Sequence, residues 1–222
     1  MSHSKTELIN RLSLSNCPKK QADFFDYFKE IADLLMNKCV ISKGSINYEI
    51  LEIEFYLFTP NHQDIITYPR NTKAGQWFFH QSGVDLTFEC NTEHFGGILI
   101  RGLRNVETGQ LTLGPQKCVD LLWNKFDAFE VLENEYPIIN IADEKLDENI
   151  QFFPRWIPVK NENKSKKLEY WAAQVKDKGY DVCPTIDKTD IVFTSLYRFI
   201  KFDSINSIPK GWSGYSSKPR IE

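Results

Sequence analysis

Two glutamates, Glu52 and Glu54, lie two positions apart within residues 48–58, where the side chains alternate along the chain. Residues two apart on a β-strand share one face, about 7 Å from each other. One carboxylate on such a face could act as a general base, and its neighbour would raise its pKa by like-charge repulsion. This pair suits hydrolysis of a glycosidic bond, whose transition state carries positive charge on the sugar. The competing interpretation is that both glutamates face solvent.

The side chains around the two glutamates predict a half-enclosed site. On a regular strand Tyr48, Ile50 and Tyr56 share the glutamate face, and these residue types are unusual for a surface that meets only water. The opposite face would pack on the core. It carries Glu49, Leu51, Ile53, Phe55 and Leu57.

The chain after this strand supplies further side chains of types that bind substrates. Tyrosine, histidine and aspartate can line a pocket, and an arginine can hold a phosphate or a carboxylate. Besides Tyr56, the substrate-binding candidates are His62, Tyr68, Arg70, His80, Asp85 and Arg101.

A metal-dependent hydrolase is a third possible interpretation of the same region. The side chains of His62, Asp64, His80 and Asp85, together with a glutamate, are of types that coordinate divalent ions. Their spacing matches no diagnostic metal motif, so we expect no metal ion and no other cofactor.

Several secondary-structure elements are predicted to position these residues. Apolar side chains at helical spacing predict a helix over residues 21–38, before the strand. A polar loop follows over 60–75, then a hairpin over 76–90 and a central strand over 96–103. The remaining predictions are helices over 114–126 and 166–178 and strands over 138–141 and 190–202.

Composition and length predict one cytoplasmic α+β domain. The chain has 222 residues with 41% hydrophobic content, and it shows neither a long apolar run nor a secretory signal. We expect a flexible arm over 1–20, the domain over 21–205, with a curved mixed or antiparallel sheet, and a polar tail over 206–222. An odd number of cysteines, five, argues against a disulfide framework. A net charge of −3 gives no global attraction to nucleic acid.

Five segments in order resemble the alkyladenine (3-methyladenine) DNA glycosylase family. That family has a helix ending in a Leu-Leu-Gly-like turn, a strand of the type I-V-E-x-E-A-Y-L, an apolar L-L-R-A strand, a G-P-x-K helix start and a P-R-I-G-I segment. The resemblance spans residues 24–159. The matching segments here are IADLLMNKCVI, YEILEIEFYL, GGILIRGL, LGPQKCVDLL and FFPRWIPV.

The resemblance implies roles for individual residues. Glu54 falls on the glutamate that activates water against the anomeric carbon of a flipped-out nucleotide, and Tyr56 on the aromatic residue that stacks on its base. Lys117 falls on the lysine of G-P-x-K. His62 lies a few residues before the position of the family's loop histidine, which Ile65 occupies.

The resemblance also has departures that concern DNA. A Y-G-x-Y turn in the family supplies a stacking tyrosine and an intercalating tyrosine, and the aligned turn here is Ser82-Gly83-Val84-Asp85. Both aromatic side chains are missing, and an aspartate is unsuited to a wedge that enters between base pairs.

The sequence therefore favours an N-glycosidase-like hydrolase with Glu54 and Glu52 as the catalytic pair. Its substrate would be a damaged base in nucleic acid or a nucleoside-type molecule. The alternative is a non-catalytic protein that binds a small ligand or nucleic acid on the same scaffold.

Overall fold

Ten antiparallel strands form one curled sheet in the part of the chain that the structure describes, a computed structural model covering residues 3–124, 129, 136–142 and 149–201. The strands are β1 (Cys39–Lys43), β2 (Ile46–Thr59), β3 (His62–Gln63), β4 (Trp77–His80), β5 (Gly83–Thr87), β6 (Phe95–Asn105), β7 (Leu111–Leu113), β8 (Ile138–Ile141), β9 (Ile150–Phe153) and β10 (Arg198–Lys201). The main order is β4-β5-β6-β2-β1-β8; β3 and β10 also pair with β2, β7 with β6, and β9 with β10. The predicted fold class, a single α+β domain with a curved antiparallel sheet, is confirmed.

Four helices accompany the sheet within the described residues. They are α1 (His3–Arg11), α2 (Phe24–Lys38), α3 (Pro115–Leu122) and α4 (Lys164–Asp177). The last three agree with the predicted helices, and Pro115 occupies the first turn of α3, where its missing N–H is not needed. None of the described helices combines the length and the apolar content that crossing a bilayer requires.

The start of the chain, predicted as a flexible arm over residues 1–20, contains a helix that packs on the core. Residues 3–11 form α1, and Leu8 and Leu12 are buried against the core. The two leucines are four positions apart, which places them on one face of a helix, and this spacing outweighs the polar composition of the segment. The predicted polar tail, over 206–222, lies outside the described residues.

Helix α2 packs across the centre of the sheet and closes the core. The rings of Phe28 and Phe55, both fully buried, stack with their centroids 4.5 Å apart. Burial of a phenylalanine side chain contributes roughly 1.5–3 kcal/mol. The core side of β2 is thereby fixed against α2, and its other side is left to form a site.

A β-bulge between β2 and β6 changes the predicted alternation of β2. The register shifts around Glu52 leave Leu51 and Arg101 without a one-to-one partner across the two strands. Before the bulge, Tyr48 and Ile50 point into the main core, whereas Leu51 packs in a separate small cluster. The predicted faces were therefore wrong for residues 48–51 and right for Ile53 to Leu57, because a bulge inserts one residue and reverses the alternation.

The strand predicted over 190–202 is much shorter in the structure. Residues Asp190–Thr194 form a helical turn, and only Arg198–Lys201 belong to β10 among the described residues. The Asp187 carboxylate accepts hydrogen bonds from the backbone N–H groups of Thr189 and Asp190, which favours a helical start over an extended one. Strand β10 pairs with β2, and Arg198 lies opposite Glu54.

Candidate functional site

The two glutamates of β2 belong to a buried group of alternating charges, which we call the floor cluster: Glu52, Glu54, Arg101 and Arg198. Arg101 donates from Nε to Glu52 Oε1 at 2.9 Å and from Nη1 to Glu54 Oε2 at 3.2 Å. Arg198 donates from Nε to Glu52 Oε1 at 2.7 Å. Two arginines therefore balance two carboxylates, as buried charges require. The interpretation of both glutamates as solvent-facing residues is wrong, since Glu52 is 1% and Glu54 0% exposed.

The β-bulge explains how Arg101 reaches both carboxylates. Its position at the irregularity of β6 turns the side chain toward Glu52 and Glu54, and bulges commonly redirect a side chain in this way. Burial alone lowers the pKa of Arg101, but the charges of Glu54 and Glu52 outweigh it and hold the pKa above its usual value. The guanidinium therefore stays charged.

Both carboxylate oxygens of Glu54 also accept hydrogen bonds from groups other than arginine. The Tyr56 hydroxyl donates to Oε2 at 2.8 Å, and the backbone N–H of Trp156 donates to Oε1 at 3.1 Å. Burial and the charge of Glu54 raise the pKa of Tyr56 well above its usual value, so its hydroxyl remains a donor. Glu54 is consequently covered by Tyr56, Arg101 and the Trp156 backbone.

A second buried ion pair lies behind Tyr56. Arg155 binds Asp64 through two parallel hydrogen bonds of 2.5 and 3.0 Å, and both residues are almost fully buried. The Arg155 guanidinium also lies over the Tyr56 ring, 4.5 Å from its centroid. Such planar, bidentate contacts fix the ring position of Tyr56 from behind.

A third charged group joins the hairpin to the loop before it. Arg70 donates from Nη1 to Asp85 Oδ2 at 2.6 Å, and His80 Nε2 lies 3.0 Å from Asp85 Oδ1. The Ser82 backbone N–H donates to His80 Nδ1, which places the histidine proton on Nε2. Gly97 leaves the space for this group, because a Cβ there would lie 2.6 Å from Asp85 Cβ.

Tyr56, Arg101 and the group formed by Arg70, Asp85 and His80 border a cavity of about 450 Å³. Phe55, the neighbour of Tyr56 on β2, packs on α2 from the other side of the strand. Six of the nine predicted site residues line the cavity, and Glu52 and Glu54 lie beneath them instead. Aromatic side chains of Tyr68, Trp156 and Trp171 surround its opening, with Tyr68 and Trp156 about half exposed. The predicted residues that line the cavity are Tyr56, Tyr68, Arg70, His80, Asp85 and Arg101.

His62, predicted as a substrate-binding residue, does not line this cavity and lies in the core instead. Its ring is fully buried, stacks on Phe24 at 4.3 Å and contacts Gln21 Oε1 through Nδ1 at 2.9 Å. Burial, with a smaller effect of the Arg155 charge, lowers the pKa of His62 to about 3. A histidine that follows an alternating strand continues into the core here because β3 folds back on β2.

The candidate metal ligands are distributed over separate places. Asp64 is bound by Arg155, His62 stacks in the core, and His80 contacts Asp85. The described residues contain no group of three or more side chains suited to holding a metal ion.

Several cavity residues were not identified from the sequence. Trp156, Trp171 and Gln116 line the cavity, and Arg155 and Arg198 hold the groups beneath it. Arg155 lies within the FFPRWIPV segment that carries part of the resemblance, so the sequence offered a reason to consider it as a site residue. Trp171 lies on a helix that looked merely exposed, and Arg198 lies on a strand predicted with the wrong length.

Comparisons with known proteins found one relative of uncharacterised function. A protein of Acanthamoeba polyphaga mimivirus, described as uncharacterized protein L759, is 28% identical over 133 aligned positions, which cover 49% of this chain and 62% of the viral protein. The match thus spans less than two thirds of that relative's length. No family model matches the sequence, and no solved structure matches the protein.

Proposed function

We propose that the cavity binds a flat aromatic ligand of the nucleobase or nucleoside type. The main support for this proposal is a cavity of about 450 Å³ that is lined by aromatic side chains and a few buried polar groups. That volume lies in the range of roughly 300–1,000 Å³ that is typical of small-molecule sites. The resemblance to base-binding glycosylases, in which Tyr56 matches the stacking aromatic residue, supports the same ligand class.

The turn beside the cavity favours a small ligand over duplex DNA. Val84 and Asp85 point into the protein, and Asp85 is engaged by Arg70 and His80. No side chain of residues 82–85 can act as an aromatic wedge, and the net charge is −3. The ligand would therefore enter the cavity as a single base or nucleoside, in a protein that we place in the cytoplasm.

N-glycosidic hydrolysis is the second candidate function. It is favoured by the position of Glu54, which accepts hydrogen bonds from three residues that line the cavity: Tyr56, Arg101 and the backbone of Trp156. Glu54 would accept a proton from the attacking water while the C–N bond to the base breaks. Because Glu54 is fully buried and covered by Tyr56 and Arg101, one of these two side chains would have to move before water could reach it. Binding thus needs fewer rearrangements than hydrolysis.

Calorimetric titration with adenosine, guanosine, uridine and their free bases tests the binding function. Trp156→Ala removes a ring at the opening but leaves its backbone contact to Glu54, so affinity should fall about tenfold or more. Tyr170→Ala is the matched control, since Tyr170 is an exposed aromatic residue of α4 outside the cavity lining. Absence of binding by every compound would reject the proposal.

Base release separates the two candidate functions. The same nucleosides are incubated with the wild-type protein and Glu54→Gln, and free base is measured by chromatography. Release by the wild-type protein and its loss in Glu54→Gln would support hydrolysis. Equal signals from both proteins would rule out Glu54 as the base.

A further inference from the structure

One donor group of the buried Arg101 side chain has no protein acceptor. Nε binds Glu52 and Nη1 binds Glu54, whereas Nη2 has no hydrogen-bond partner among the described residues. Nη2 is not fully buried, and Arg101 lines the cavity. The side chain as a whole is 8% exposed. A guanidinium has five N–H groups, so those of Nη2 remain for an acceptor in the cavity.

The N-terminus of α3 lies next to Arg101 and is also uncapped. The Gly114 N–H donates to the Arg101 carbonyl at 2.7 Å, which ties the start of the helix to this residue. Gly114 offers no side chain as a cap, and the first backbone N–H groups of a helix, here those of Gln116 and Lys117, have no partner within the helix itself. Pro115 and Gln116 line the cavity. A helix N-terminus carries partial positive charge and favours an anion.

We infer that the ligand carries one oxyanion, a phosphate or a carboxylate, which binds between Arg101 Nη2 and the N-terminus of α3. The inference rests on the proposed function, because the ring of the same ligand occupies the aromatic part of the cavity. Arg101 is already engaged by Glu52 through Nε and by Glu54 through Nη1, so Nη2 is the part of its guanidinium left to face a ligand. One donor face and one helix terminus therefore suit a single oxyanion rather than an extended polyanion.

Paired ligands test this inference by calorimetric titration of the wild-type protein. Adenosine is compared with adenosine 5′-monophosphate, and uracil with orotate, which is uracil bearing a carboxylate. We expect the anionic member of at least one pair to bind about tenfold tighter, with the advantage reduced at high salt. The pair that shows the advantage identifies phosphate or carboxylate as the group.

The outcomes separate this inference from the proposed function. Equal or weaker binding of both anionic members, with binding of the neutral ones, would overturn the oxyanion site alone. No binding of any of the four compounds would overturn the proposed function and the inference with it.

A charge change at the cavity opening gives an independent test. Gln116 is exposed on the first turn of α3, and Gln116→Glu would place a carboxylate beside the expected anion. The ratio of the affinities for the monophosphate and for adenosine should fall about tenfold, whereas Gln116→Lys should keep or raise it. Gln110→Glu is the control, because it changes the net charge equally at an exposed position outside the cavity lining. An equal fall in both glutamate variants would contradict a local oxyanion site.

Discussion

The Tyr56 hydroxyl donates a 2.8 Å hydrogen bond to Glu54 Oε2, so a residue of the cavity wall also covers the carboxylate beneath it. The bond joins a neutral donor to a buried charge, which is the stronger class of hydrogen bond. A ligand that contacts Tyr56 would therefore affect the hydrogen bonding of Glu54 through this one side chain.

Tyr56→Phe should lower the free energy of unfolding by roughly 1.5–3 kcal/mol, because a buried carboxylate loses a donor. Tyr27→Phe is the comparison, since the Tyr27 hydroxyl donates to a neutral acceptor, the Arg11 carbonyl. Its cost should be about 0.5–1.5 kcal/mol. Urea unfolding measures both variants. A larger loss in Tyr27→Phe would contradict the assignment of the stronger bond to Tyr56.

Arg155→Met should destabilise the protein by about 3–5 kcal/mol, because Asp64 would remain as a buried, unpaired charge. The Phe55 and Ile191 carbonyls would lose a donor at the same time. Arg11→Met removes an ion pair at the surface and should cost less than about 1 kcal/mol. Similar midpoints of urea unfolding for the two variants would show that the buried pair is not important for stability.

Gly97→Ala should weaken ligand binding through the Arg70–Asp85 pair. The new Cβ would lie 2.6 Å from Asp85 Cβ and 2.9 Å from Arg70 Nη1, so the pair must shift in the cavity wall. Overpacking of this kind costs about 1–3 kcal/mol of stability. Gly109→Ala meets no atom within 4 Å and should leave the affinity for the ligand unchanged. Unaltered affinity in a folded Gly97→Ala protein would show that the pair does not shape the site.

His62 should make stability fall as the pH is lowered from about 6.5. In the unfolded chain His62 takes up a proton near pH 6.5, its ordinary pKa, whereas the buried ring resists protonation until about pH 3. The unfolded state therefore binds more protons in this window, and its population rises as the pH falls. The slope should approach about 1.4 kcal/mol per pH unit below pH 6.

His62→Phe separates this effect from that of the carboxylates. Phenylalanine keeps a ring against Phe24 but cannot be protonated. Between pH 6.5 and 5, where most carboxylates stay ionised, the variant should show a flatter dependence of unfolding free energy on pH. Equal slopes in the two proteins would mean that His62 is not the group responsible.

Local patterns allowed much of the fold to be predicted. The hairpin over 76–90 and the strands β2 and β6 depend on alternation and turn residues that lie within a few positions of each other. The bulge at Leu51 could not be predicted, because it results from pairing between β2 and β6 and leaves no local mark. That single residue decided which of Ile50 and Leu51 enters the main core.

The candidate site was predicted only in part, because a sequence pattern shows local neighbours but not contacts between distant segments. Tyr56 lies two positions from Glu54 on the same strand, and Arg101 lies on the neighbouring strand β6; both were identified by residue type and position in a predicted strand. Trp156 and Arg198 reach Glu54 and Glu52 from more than one hundred residues away, and a sequence pattern does not report such contacts. His62 had the right residue type for a site but the wrong side of the fold, since a two-residue strand turned it into the core.

The pairing of β10 with β2 has a consequence for the order of folding. Arg198 and Glu52 are 146 positions apart, so the second arginine of the floor cluster arrives only when β10 docks. Before that step the ion pair between Arg198 and Glu52 is absent, and closing so long a loop is slow. We expect the site to be completed late in folding, after β2 and β6 have paired, and a chain that had not reached this step would lack the second arginine of its floor cluster.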